Sequence, residues 1–270
     1  MPPLVKTRRR LKTVKSLNSI FNALQVITLA RLQKIKAKHA AAKQYLLELK
    51  TMAEEVGQAE GLSGPAEGMA VLFSGNRGFC GMFNQNILFR TRSFIEEGEA
   101  TFLVFGRKGL EFLRSRRQKV ADSYLAEDYG FSFFEEKAAG ILKRFRAGEI
   151  GGVDLIFNHF RSVMRQDAVA NRILPEAGPP DGRPVLVEPS RETAADKIKL
   201  RRLAMELYFA YLDSQLGEVS ARLFTLKGAI ENSKELINDL SIALNKARQQ
   251  SITNELLEII ASSESLKEAA

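Results

Sequence analysis

The chain has 270 residues, 45% of them hydrophobic and 27% charged, and this balance excludes a disordered chain. Its apolar runs are far shorter than the roughly 20 residues of a membrane-spanning helix, and its single cysteine excludes an internal disulfide framework. The net charge of +8 points to an acidic partner, and its distribution along the chain shows where that partner would bind.

The first predicted element is a long helix over residues 1–60. Apolar residues recur every three or four positions over Leu32–Val56, and less regularly over Leu11–Leu24. The first 50 residues contain twelve Lys and Arg but only one acidic residue, Glu48. The positive excess therefore belongs to this helix, and it predicts a complementary acidic surface on a partner.

The cations nearest the start of this helix form a basic collar, defined here as Arg8, Arg9, Arg10, Lys12 and Lys15. A solvated helix face is the commonest explanation of such a run, and nucleic acid or an anionic membrane are alternative partners. Aromatic residues on which single-stranded bases would stack are not interleaved with these cations. We therefore do not expect a nucleic-acid partner.

Residues 61–189 are predicted to form a small Rossmann-like α/β domain with a mostly parallel sheet. The apolar runs GMAVLF, ATFLVF and GVDLIF have the length of buried strands. They alternate with helical patterns over Asn84–Glu97, Lys108–Arg116 and Phe133–Arg146. The segment Phe160–Pro189 is polar and then rich in proline, which predicts a ribbon or loop before the last element.

A glycine turn, defined here as Leu72–Asn86, follows the first of these strands and has the pattern G-x-x-G-x-x-G. Glycine-rich turns between a strand and a helix often bind phosphate, but this pattern is neither the dinucleotide fingerprint nor a P-loop. We interpret the turn as an exposed contact for a partner. Cys80 within it is interpreted as a packed residue, with a reactive thiolate at a helix start as the alternative.

His39 and His159 are the two histidines of the chain, and neither belongs to a set of nucleophile, base and orienting group. Both are predicted to be packing residues. The cysteine and the histidines do not have the spacing of a zinc site. The sequence therefore predicts a protein that has no catalytic residues, no cofactor and no metal of its own.

Residues 190–270 are predicted to form a second long helix, continuous from Ser190 to about Ser262, a length of about 105 Å. Its apolar residues are separated by alternating steps of four and three, which is typical of a left-handed coiled coil. This heptad seam comprises Met205, Phe209, Leu212, Leu216, Val219, Leu223, Leu226, Ile230, Ser233, Ile237, Leu240, Leu244 and Ala247.

The expected partner of this seam is the first helix, because the two helices lie at opposite ends of one chain with a compact segment between them. Pairing of each helix with a second copy of itself is the alternative. The predicted fold class is thus an α/β central domain inserted between two long terminal helices that form an antiparallel left-handed coiled coil.

Three stretches together resemble the gamma subunit of F-type ATP synthases: VKSLNSIFNALQVITLARL, SGNRGFCGMFN and NSKELINDLSIALNKARQQSITNELLEII. The resemblance covers about Leu4 to Ile260, and the last stretch is its most specific part. Two positions depart from the family pattern. Asn76 stands where an acidic residue is usual, and Met82 replaces the second glycine of CGG.

The resemblance implies a non-catalytic rotor shaft. In that family the coiled coil threads a head of alternating alpha and beta subunits, and the α/β foot domain binds the epsilon subunit and rests on the membrane-embedded c-ring. Membrane association is then indirect, through the complex. Because no leader segment is recognisable, we expect a peripheral location on the cytoplasmic side of a bacterial plasma membrane.

The resemblance also assigns contacts with the catalytic subunits to residues in three places. Near the end of the second long helix, Arg248 and Gln249 are expected to hydrogen-bond a loop of a catalytic subunit. Thr253 and Glu255, one turn further along the same helix, are also assigned as contacts. The remaining assigned contacts are Leu24 on the first helix and Arg77 and Cys80 in the glycine turn.

Overall fold

The computed structural model describes residues 3–56, 67–126, 128–175 and 190–268. The helices in these ranges are α1 (Pro3–Val56), α2 (Phe83–Glu97), α3 (Arg107–Ser115), α4 (Phe131–Arg146) and α5 (Arg191–Glu268). The strands are β1 (Gly68–Phe73), β2 (Ala100–Phe105), β3 (Val120–Tyr124), β4 (Val153–Ser162) and β5 (Arg165–Leu174). The 54-residue α1 and the 78-residue α5 confirm the two predicted long helices.

The chain divides into two compact units. The helical unit comprises Met1–Ile27 and Thr225–Ala270, and the sheet unit comprises Thr28–Phe224. Helices α1 and α5 each have residues in both units.

The sheet unit contains a five-stranded sheet with the strand order β3-β2-β1-β4-β5. Strands β1 to β4 are parallel, and β5 is antiparallel to β4. Arg172 of β5 donates hydrogen bonds of 3.1 and 2.8 Å to the carboxylate of Asp154 on β4. The mostly parallel sheet is therefore confirmed, and β5 lies in the predicted ribbon, whose residues 176–189 fall outside the described ranges.

Strand β1 is apolar along its whole length because both faces of the sheet are covered. Its alternate residues point to opposite sides, and each side has its own core. Met69, Val71 and Phe73 belong to the core that includes residues of α4 and α5. Ala70 and Leu72 belong to the core that includes residues of α2 and α3.

Within the sheet unit, α1 and α5 pack side by side in opposite directions. Lys50 of α1 lies 3.7 Å from Glu206 of α5, whereas Leu32, earlier on α1, packs in a cluster with Leu216, later on α5. Every residue of the predicted heptad seam on α5 is buried or half-buried. The period of the seam therefore matches the side of α5 that is shielded from solvent.

Among the described residues of the helical unit, α1 does not have a continuous row of buried apolar residues like the seam on α5. Leu11 and Val14 are buried, but Leu17 and Leu24 are 43% and 36% exposed. Ser233, the polar member of the seam on α5, is buried and its hydroxyl donates to the Ile230 carbonyl at 2.9 Å. A hydroxyl that is satisfied within its own helix can occupy an apolar seam without leaving an unpaired donor.

Candidate partner-binding surfaces

The described ranges contain no group of three or more His, Cys, Asp and Glu side chains that could hold a metal ion. In the same ranges, no helix combines the length and apolarity needed to cross a membrane. What the described residues do present is a glycine turn, a row of cations and a long exposed helix end.

The glycine turn lies between the end of β1 and the start of α2, and its own side chains close it. The Gly75 N–H donates to Asn84 Oδ1 at 3.0 Å, and Asn84 Nδ2 donates to the Arg77 carbonyl at 3.1 Å. An N–H group that would face a bound phosphate is thus already used. The adjoining cavity has a volume of about 30 Å³, which is room for about one water and far too little for a nucleotide.

Asn76 connects this turn to the ends of the next two strands. Its Oδ1 accepts a hydrogen bond of 3.0 Å from the Arg107 N–H at the start of α3, and its Nδ2 donates to the Leu125 carbonyl at 3.3 Å. An aspartate could accept the first bond but could not donate the second. The departure from the family pattern at this position therefore makes a contact that the usual acidic residue cannot make.

Cys80 is buried beneath the turn, and its sulfur accepts a hydrogen bond of 3.1 Å from Asn84 Nδ2. Burial, followed by the nearby charge of Glu218, raises the pKa of the Cys80 thiol. Both observations support a packed cysteine over a reactive thiolate. The predicted partner contact of Cys80 stays a prediction, and the large apolar side chains that the turn exposes beside it are Phe79 and Met82, at 61% and 60%.

We expect Cys80 to react with iodoacetamide at pH 8 at least about tenfold more slowly in the folded chain than in urea. The thiolate is the reactive form, and a raised pKa lowers its fraction at this pH. The rate in the folded chain should still increase above pH 9. Timed quenching and mass spectrometry measure the adduct, and equal rates in the folded and unfolded chain would contradict the buried thiol.

The basic collar lies on α1 within the helical unit, and all five of its side chains are exposed. Four of them, Arg8, Arg9, Lys12 and Lys15, line one groove whose apolar residues are Val5, Leu11 and Leu244. The hydroxyl groups of Ser16 and Ser19 in that groove donate to carbonyls of their own helix, each at 3.2 Å. The groove therefore presents cations and apolar surface, without an acidic side chain in its lining.

The predicted contacts near the end of α5 are also on the surface. Arg248, Gln249, Thr253 and Glu255 are all exposed. The Thr253 hydroxyl donates to the Gln249 carbonyl at 3.0 Å, so it is satisfied within the helix. Leu24 on α1 is 36% exposed. Each of these side chains is accessible to a partner.

The last turns of α5 also expose large apolar side chains. Their exposed fractions are 47% for Ile252, 55% for Leu256, 58% for Leu257, 65% for Ile259 and 54% for Ile260. A run of this size is unusual on a protein that acts alone, and it indicates a surface that a partner covers.

One hydrogen-bonded cluster, centred on a buried aspartate, was not predicted from the sequence. Asp213 of α5 is hydrogen-bonded to His39 of α1 at 2.9 Å and to His159 of β4 at 2.5 Å. The two histidines are 174 and 54 residues from Asp213 along the chain, so no local spacing could reveal the cluster. The two histidines were predicted to be packing residues, and their shared hydrogen-bond partner Asp213 was not predicted.

Residues 4–266 match the model of the protein family described as ATP synthase. The ATP synthase gamma chain of Chlorobaculum tepidum is 32% identical, and the match covers 99% of this chain and all of that one. The ATP synthase gamma chain of Geobacter metallireducens is 31% identical over the same shares of both chains.

Among solved structures, a chain in the Euglena gracilis mitochondrial ATP synthase, in a structure of OSCP, F1 and the c-ring, has a TM-score of 0.74. The alignment covers 97% of this chain and 94% of that chain at 19% identity. A second Euglena gracilis structure, of the rotor, contains a chain with a TM-score of 0.68. These likenesses show that the fold is shared.

Proposed function

We propose, because the chain belongs to the ATP synthase gamma-chain family, that it is the central rotor shaft of an F-type ATP synthase. It couples ion translocation through a membrane ring to the conformational cycling of catalytic subunits that make or hydrolyse ATP. The observation that carries the proposal is the match over residues 4–266, which includes both long helices and the sheet between them.

The long helices are proposed to form an antiparallel left-handed coiled coil. Opposite directions are supported by the Lys50–Glu206 ion pair and the Leu32–Leu216 cluster, and left-handedness by the 3.5-residue period of the shielded seam. The corresponding domains are residues 1–60, 61–189 and 190–270. A paired helix resists bending and twisting better than a single one, as a shaft must.

The chain is proposed to carry no catalysis of its own. In the glycine turn the Gly75 N–H and the Arg77 carbonyl are both bonded to the Asn84 side chain, and the cavity beside the turn has room for about one water. The chemistry then belongs to its partners, the alpha and beta subunits of the head. The epsilon subunit and the c-ring are proposed to bind the α/β foot domain, and membrane association is indirect.

Contacts with the catalytic subunits are proposed for Arg248, Gln249, Thr253, Glu255, Leu24, Arg77 and Cys80. The exposure of Arg248 and Gln249 beside an uncovered apolar helix end supports this assignment. The thiol of Cys80 is buried, so its proposed role is to pack beneath the turn and hold the turn in shape. The contact itself would then be made by the exposed neighbours of Cys80 in the turn. A place on the cytoplasmic side of a bacterial plasma membrane is supported by similarity to bacterial gamma chains.

The basic collar is proposed to face an acidic surface of the head. Replacing Lys12 and Lys15 by glutamate is expected to weaken recovery of the alpha and beta subunits about three- to tenfold at low salt, because each exposed ion pair contributes up to about 1 kcal/mol. The defect should shrink as salt rises, since exposed charges are screened. Quantitative pull-down across a salt series measures both effects.

The matched control is the variant Lys36→Glu/Lys43→Glu, which makes the same change of charge at exposed positions of the same helix. Its recovery of partner subunits should stay near that of the unmodified chain. Equal losses in the two variants would assign the effect to net charge and contradict a local acidic contact.

Co-purification tests the proposed function as a whole. The tagged chain is extracted from its native membranes in gentle detergent, and the eluate is assayed for ATP hydrolysis and subunit stoichiometry. We expect ATPase activity with one copy of this chain for about three copies of the catalytic subunit. Recovery of the chain alone, or with nucleic acid, would contradict the proposal.

A further inference from the structure

Asp213 is a buried acid that joins three separate elements of the sheet unit. Its side chain is 1% exposed and lies on α5. Its Oδ1 is bonded to His39 Nε2 of α1, and its Oδ2 is bonded to His159 Nδ1 and to the Phe160 N–H of β4, the last at 3.2 Å. One carboxylate therefore links both long helices to the end of a central strand.

A carboxylate only accepts hydrogen bonds, so both ring nitrogens and the Phe160 N–H donate to it. Removing such a charged group from water is unfavourable unless its acceptors are satisfied, and here three donors surround it. The His39 ring also lies 4.9 Å from the ring of Phe209, and the side chains of His39 and His159 are 16% and 32% exposed, so the bonds lie in partly shielded surroundings. Hydrogen bonds in such surroundings are strong and directional.

Other polar contacts of α5 also cross this junction: Glu206 lies 3.7 Å from Lys50 of α1, and the Ser214 hydroxyl donates to the Phe73 carbonyl of β1 at 3.4 Å. Apolar side chains also pack at the junction. The contacts around it come from residues such as Leu32, Ile35, Leu216 and Val219, and hydrophobic contact is not directional. Apolar surfaces can slide past one another with little change in buried area, whereas displacement of α5 by part of a turn breaks the bonds of Asp213. A single buried polar group is known to fix register between helices in this way.

We propose that Asp213 is a positioning residue for rotary coupling: it locks α1 and α5 to β4 so that torque passes between sheet and helices without slip. This inference rests on the proposed function of a rotor shaft. Torque on the foot domain loads the junction in shear, and the directional bonds of Asp213 oppose that load. ATP hydrolysis in the head needs no such lock, but hydrolysis that drives ion transport does.

The test uses the complete ATP synthase in inverted membrane vesicles, with ATP hydrolysis and ATP-driven ion uptake measured on the same preparation. Asp213→Asn keeps the shape of the side chain but replaces one acceptor oxygen by an N–H group, so the histidine that faces this group must change tautomer to keep a hydrogen bond. We expect the ratio of ion uptake to ATP hydrolysis to fall about three- to tenfold, while assembly and hydrolysis are retained. A residue that only stabilised the fold would reduce assembly, hydrolysis and uptake together.

The histidines supply a rescue test. His159→Asn and His39→Gln each keep an N–H donor close to the position of the bonded ring nitrogen, whereas His159→Leu and His39→Leu remove it. We expect the leucine variants to lower the ratio and the amide variants to restore most of it. If the complex with Asp213→Asn fails to assemble, the comparison of the leucine and amide variants at each histidine still tests whether these hydrogen bonds are needed for coupling.

The matched control is Asp196→Asn, which makes the same change on the same helix at an exposed ion pair with Arg146. Its ratio should equal that of the unmodified complex. A normal ratio of ion uptake to ATP hydrolysis in Asp213→Asn and in both leucine variants would overturn the positioning role of Asp213. It would leave the proposed function of the chain untouched. Absence of ATP hydrolysis from preparations of the unmodified chain would instead overturn the proposed function, and the inference with it.

Discussion

Replacing Arg248 and Gln249 by alanine should reduce ATP-driven ion uptake by about tenfold or more without changing the helix content of the chain. Both side chains are exposed on α5, so their removal leaves no cavity and breaks no packing within the chain. A hydrogen bond from the charged Arg248 contributes about 1.5–3 kcal/mol and one from the neutral amide of Gln249 about 0.5–1.5 kcal/mol, and loss of both contacts with a catalytic subunit would weaken coupling accordingly. Ion uptake and ATP hydrolysis in inverted vesicles, with far-UV circular dichroism of the purified chain, measure the effect.

The matched control is Arg114→Ala/Gln33→Ala, which removes the same two residue types from exposed positions on α3 and α1. Its ion uptake should remain close to that of the unmodified complex. Normal uptake in the Arg248 and Gln249 variant would contradict their assignment as coupling contacts. Equal losses in both variants would show that the assay responds to any change of surface charge.

Substitution of Gly106 by alanine should destabilise the sheet unit by about 3 kcal/mol or more. Gly106 lies between β2 and α3 with a φ of 98°, a conformation that residues with a Cβ rarely adopt. An added Cβ would overlap the carbonyl oxygen of Ser74 and would lie 2.7 Å from Ser74 Oγ. That hydroxyl already donates to the Phe105 carbonyl and accepts from the Gly109 N–H, so it cannot move aside without losing bonds.

Urea unfolding followed by tyrosine fluorescence measures this loss. The chain has no tryptophan, and all five tyrosines lie in the sheet unit, so the signal reports that unit. The control is Gly140→Ala on α4, where an added Cβ meets no atom within 4 Å and where alanine should stabilise the helix by about 0.5–1 kcal/mol. A midpoint for Gly106→Ala at or above that of the unmodified chain would contradict the predicted clash.

The long helices and the central strands were predictable because their patterns are local. A heptad seam repeats along α5, and the runs that became β1, β2 and the first half of β4 are mostly apolar since both faces of a parallel sheet are buried. Strand β3 was missed. It has the sequence VADSY, lies at the edge of the sheet and contains only half-buried and exposed residues, so neither alternation nor a continuous apolar run marked it.

The contacts that join distant segments were not predictable. Asp213, His39 and His159 meet only when α1, α5 and β4 are packed together, and each residue taken alone reads as an ordinary member of its element. Asn76 is a similar case, because its two hydrogen bonds go to the first residue of α3 and to the loop after β3. Partner contacts such as that of Arg248 depend on surfaces of other subunits, so the resemblance to a family was needed to suggest them.

Rotation of the chain within the assembled complex tests the central claim most directly. The head is immobilised, a cysteine is introduced by Ser132→Cys on the exposed surface of α4, and a reporter particle is attached there while the native Cys80 stays buried. A rotor shaft predicts that the reporter turns in one direction when ATP is added, with three dwell positions per revolution for three catalytic subunits. A stationary reporter on complexes that hydrolyse ATP at the normal rate would contradict the account.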